Sequence, residues 1–85
     1  MAEGPRTLRD LRERLGLTVL QMADRAGCAV DVIVRIEMGI RIPTEESERE
    51  NLALAYGLPA KEFLNLALQA ADGWERSRSM RSGRA

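Results

Sequence analysis

The sequence predicts an all-α domain of five short helices, and two observations carry that prediction. Five internal glycines (Gly16, Gly27, Gly39, Gly57 and Gly73) each close a segment rich in helix formers. Helix-start residues follow most of them at short range. A residue at positive φ commonly ends a helix, and glycine adopts that conformation with least steric conflict. Together they place helices at 7–15, 18–26, 29–38, 45–56 and 59–72, with no strand.

Each start has its own reason. Thr7-x-x-Asp10 is a weak form of the capping box that Thr18-x-x-Gln21 supplies in full, satisfying amides that a helix leaves unbonded in its first turn. The third helix is the exception, because Cys28 and Ala29 cannot accept from those amides. Pro43-Thr44 leads into Glu45-Glu46, acids suited to the positive end of a helix. Pro59 suits the first position of the last one.

Composition narrows the function. The 85 residues suffice for one domain with a small core. Residues 1–72 are expected to form that domain, and 73–85 a basic, disordered tail. No apolar run reaches the roughly 20 residues of a membrane span, and Met1 to Arg6 show no apolar leader segment. Cys28 is the only cysteine and histidine is absent, which removes the usual zinc ligand sets and the commonest general base. No catalytic group, metal or cofactor is expected, and a reducing cytoplasm fits the lone thiol. Thirteen basic and thirteen acidic residues give zero net charge. Four arginines against Glu75 make the tail +3, so residues 1–72 carry −3.

Only about three residues around Gly27 separate the second and third helices, so the two must cross steeply in a helix-turn-helix. Leu8-Arg9-Asp10-Leu11-Arg12, Gly16-Leu17-Thr18, Met22-Ala23 and Arg35-Ile36-Glu37-x-Gly39-x-Arg41-x-Pro43 resemble the Cro/C1 (XRE) family. Leu52-Ala53-x-Ala55-Tyr56-Gly57-Leu58 and Glu62-Phe63-Leu64 resemble its closing helices. The resemblance covers residues 7–68 and implies a lambda-repressor-like fold, double-stranded DNA as partner, and a structural ion pair between Arg12 and Glu37. The acidic run at 45–50 departs from the family, which is usually apolar there.

At about 100° per residue, Ala29, Ile33 and Ile36 define the core side of the third helix. Asp31, Val34, Arg35 and Met38 face outward, with Val30 and Val32 on the flanks. The resemblance makes that outward side the recognition surface, with Thr18, Val30, Asp31, Val34, Arg35 and Arg41 as the DNA-binding set. Arg35 is the one bidentate donor to a base, valines suit thymine methyl groups, and Thr18 and Arg41 suit phosphates. The alternative stays open. Val19, Leu20, Val30, Val34, Met38 and Ile40 also make an apolar patch of the kind that binds a protein partner.

The last helix carries an apolar arc of about 200° from Leu66 through Phe63 to Leu68, while a surface helix needs little more than 100°. Leu66 and Ala70, with Trp74 closing the edge, are therefore expected at a homodimer interface. Against that stands a wide core contact with Ala70 simply exposed. Trp74 alone suits packing at a helix end. Cys28 reads as a buried, inert thiol.

Overall fold

The computed structural model describes the backbone of residues 7–82 and the side chains of residues 7–77. Five helices follow in order: α1 (Leu8–Arg14), α2 (Val19–Ala26), α3 (Val30–Met38), α4 (Glu46–Tyr56) and α5 (Ala60–Ser82). No strand occurs among the described residues. The fold is the all-α helix-turn-helix arrangement that the glycine spacing predicts. The segment scanned for a leader, 1–6, and the end of the tail, 83–85, lie outside the described residues.

The local chemistry accounts for the helix ends. Thr7 Oγ1 accepts from the Asp10 amide, and Thr18 and Gln21 form a complete capping box. Ala29 starts α3 with no side-chain cap and stands exposed, not on the core side where its angular position set it. Pro59 lies one residue before α5 and its carbonyl accepts from the Phe63 amide. Gly27 at φ 74° ends α2 in the left-handed region, which lets the chain turn at once into α3.

The core gathers Leu8 from α1, Met22 and Ala23 from α2, Ile33 and Ile36 from α3, Leu52 and Tyr56 from α4, and Phe63 and Ala67 from α5. The rings of Tyr56 and Phe63 meet at 5.8 Å with a 40° tilt, joining the last two helices. Because Ile33 and Ile36 are fully buried, the opposite side of α3 must face outward.

A second expectation fails. The disordered tail expected from residue 73 is helix through Ser82, and Gly73 does not adopt positive φ. A lone glycine costs a helix only about 1 kcal/mol. An Asp72–Arg76 ion pair spans it at the i,i+4 spacing that supports helices.

Candidate nucleic-acid interface

The base of the site is a buried polar triad. Arg12 reaches from α1 to Glu37 on α3 through a fork, Nε to Oε2 at 2.8 Å and Nη2 to Oε1 at 3.1 Å. Its Nη1 donates to the Leu17 carbonyl at 2.9 Å, tying in the entry to α2. The Tyr56 hydroxyl donates to Glu37 Oε2 at 2.7 Å, a third member that the sequence pattern does not disclose. The hydrogen bond from Arg12 to Glu37 raises the guanidinium pKa, against an opposing pull from burial. Burial first, and the bond to Glu37 second, push the Tyr56 hydroxyl well above its ordinary range. These residues brace α1, α3 and α4 against one another, and the Arg12 and Glu37 side chains are only 10% and 6% exposed.

Outside that triad, α3 presents Asp31, Arg35 and Met38 as exposed side chains, with Val30 and Val34 half-buried. Val30 also packs against the core, so only part of its surface is free. Arg35 Nη2 lies 3.8 Å from Asp31 Oδ2, and both side chains are more than half exposed. Such a pair is loose and easily exchanged for another partner. Thr18 is exposed at the head of α2. Its Oγ1 accepts from the Gln21 amide at 3.1 Å, which leaves the hydroxyl proton to donate outward. Val19, Val34 and Met38 line a shallow hollow of about 280 Å³ with Arg9, Arg12 and Glu37.

The loop after α3 holds Arg41, which is not free. Its Nη2 meets Glu48 Oε2 on α4 at 2.6 Å. Arg49 donates to the Thr44 carbonyl at 2.7 Å and closes the loop from the far side. Nothing in helical i,i+4 spacing reveals either contact, since both run from a loop to a helix. Cys28 is half-buried, and burial followed by the nearby Glu48 carboxylate raises its thiol pKa. That keeps the reactive thiolate scarce.

The expected dimer residues are set as follows. Leu66 is half-buried and packs against the core. Ala70 is half-buried beside Gly39, where a side chain at position 39 would meet its carbonyl. Trp74 is half-buried, while Leu68 is 46% exposed. Leu66 lies about 60° from Phe63 around α5 and Leu68 about 140°, so the free apolar flank is the Leu68 side.

A tight turn between two short helices, with the second helix open to solvent along one side, defines the helix-turn-helix class of DNA-binding fold. The family described as Helix-turn-helix domain matches residues 6–66, and the chain belongs to it, in the XRE/Cro-like kind. Comparison with curated proteins and with solved structures gives no match. Members of such DNA-binding families are typically not enzymes. No described helix is long and apolar enough to cross a membrane.

Proposed function

We propose that this chain is a sequence-specific, repressor-like transcriptional regulator that acts in the cytoplasm by occupying an operator. The observation that carries the reading is Arg35, held on the open side of α3 with a side chain 58% exposed and only a loose partner. There it can turn to the O6 and N7 acceptors of a guanine. Val30 and Val34 offer methyl contacts to thymine, and Asp31 an acceptor for the cytosine amine. Thr18 and Arg41 address phosphates, which fix register without reading sequence. The +3 charge of residues 73–85 adds general attraction to the backbone.

Two copies are proposed to pair through α5, because paired recognition helices about 34–36 Å apart read two half-sites at once. The free flank of α5 supports a seam built on Leu68, Ala71 and the accessible part of Trp74, with Leu66 packed against the core and Ala70 half-buried beside Gly39.

A second reading has its own observation. Leu20, Met38 and Ile40 are 65%, 49% and 47% exposed, which suits a protein-interaction module gripping a partner through the α2–α3 face. A gel-shift against genomic fragments over a salt series separates the two. Selective retention of some fragments as salt rises supports the regulator. No retardation at the lowest salt overturns it in favour of the protein-binding module.

A further inference from the structure

The two arginines offered to DNA are held very differently. Arg35 is 3.8 Å from Asp31, beyond hydrogen-bond reach, and both groups stand in water. Arg41 is bound to Glu48 at 2.6 Å, and the Glu48 side chain is only 23% exposed. Charge-assisted contacts this short are among the stronger ones a protein makes.

The loop around Arg41 is also tied at both ends. The amides of Ile40 and Arg41 donate to the Arg35 carbonyl at 2.9 and 3.3 Å. Pro43 is buried, and Arg49 holds the Thr44 carbonyl. These contacts restrain the backbone, so rotation of the Arg41 side chain is the simplest way to redirect its guanidinium. Glu48 takes the Nη2 donor and its carboxylate offsets the guanidinium's charge, so a phosphate meets fewer open donors and a weaker attraction there.

We propose that Glu48 is an intramolecular competitor for Arg41, a latch that withholds the loop's cation from the DNA backbone. The inference rests on the DNA-binding reading given above. Its consequence is a shift in balance. Phosphate contacts strengthen binding to every sequence alike, whereas base contacts favour only some. Latching Arg41 while leaving Arg35 loose lowers general affinity and lets base reading weigh more in the total. Glu48 thus sets how far the protein discriminates without touching a base.

The test uses the full chain, a random-sequence duplex and fluorescence anisotropy across a salt series. Glu48→Gln keeps the shape and removes the charge, so it should tighten binding about twofold to fivefold. It should also steepen the dependence of log K on log salt by about 0.9, the signature of one added phosphate contact. The same substitution on an Arg41→Ala background should give no such gain. Glu48→Ala is the second variant, and melting curves verify that each protein is folded. An unchanged affinity and slope in folded Glu48→Gln and Glu48→Ala, while the wild type binds, overturns the latch alone. An equal gain on the Arg41→Ala background also overturns it, since that is a general charge effect. If no protein binds the duplex even at the lowest salt, the DNA reading fails and the latch with it.

Discussion

Gly39 lies against the peptide joining Ala70 to Ala71, so close that a Cβ at position 39 would overlap the Ala70 carbonyl. The glycine at the end of α3 is thus also a point where α5 rests on α3. Its φ of 87° adds a second restriction on any side chain. Gly39→Ala should therefore cost about 2–4 kcal/mol, combining left-handed strain with overpacking against a backbone that cannot yield. Gly27→Ala shares the positive φ but meets open space, and should cost about 1–2 kcal/mol. Chemical denaturation of both variants checks the contrast. Equal losses would show that close packing at Ala70 contributes nothing.

The buried triad makes stability depend on alkaline pH. Burial and the bond to Glu37 raise the folded-state pKa of Tyr56 above its unfolded value of about 10. Below pH about 10 both states hold the proton and the stabilisation is complete. Above it the unfolded chain loses the proton first, so stability should fall by up to about 1.4 kcal/mol per pH unit. Tyr56→Phe should lose about 1.5–3 kcal/mol at neutral pH, the worth of a hydrogen bond to a charged group. It should also lack the Tyr56 share of the alkaline slope. Denaturation midpoints measured from pH 8 to 11 test this, and parallel curves for the two proteins would count against it.

Arg12→Ala tests the other arm of the triad. Arg12 is 9% exposed and Glu37 holds both forks of its guanidinium. Removing one partner of a buried pair typically costs about 3–5 kcal/mol, because the remaining charge is stranded. The expected outcome is a clear drop in melting temperature, with any loss of DNA affinity following from unfolding. Full stability with lost binding would make Arg12 a contact instead.

The positions read correctly from sequence were those set by local chemistry. Thr18 and Gln21 announce their helix start, and Gly27 and Gly39 announce helix ends, because each acts on its own neighbours. Ile33 and Ile36 were legible from the 3.6-residue period. Gly73 misled because glycine permits a helix end without enforcing one, and the Asp72–Arg76 pair lies across it. Glu48 and Tyr56 escaped notice because their partners, Arg41 and Glu37, lie 7 and 19 residues away. Such distances carry no periodic signal and need the folded geometry. The outward side of α3 was legible at Asp31, Arg35 and Met38, but not the partial burial of Val34 or how tightly each side chain is held.

If α3 reads bases, Arg35 should matter at one base pair and little elsewhere. Arg35→Ala should cost about 1–3 kcal/mol on the preferred duplex and relax the preference at a single position. Its effect on random duplex should be small, since its role there is not a phosphate contact. Competition binding against a library of single-base variants measures both. A uniform loss across the library would reassign Arg35 to the phosphate backbone.

The last prediction separates core from seam on α5. Leu66 is half-buried among core residues, whereas Leu68 stands 46% exposed on the opposite flank. Leu66→Glu places a charge against apolar neighbours and should destabilise the fold by about 1–3 kcal/mol. Leu68→Glu should leave the domain's melting temperature at low protein concentration nearly unchanged, because its side chain already meets water there. If two copies pair along the Leu68 flank, the same substitution would set an unpaired carboxylate against an apolar partner. Sedimentation should then show a dimer for the wild type and a folded monomer near 9.5 kDa for Leu68→Glu. Operator binding should weaken with it, since one recognition helix would engage one half-site alone. A wild type that sediments as a monomer at micromolar concentration, or a Leu68→Glu variant that remains dimeric, would show that α5 does not pair on this flank.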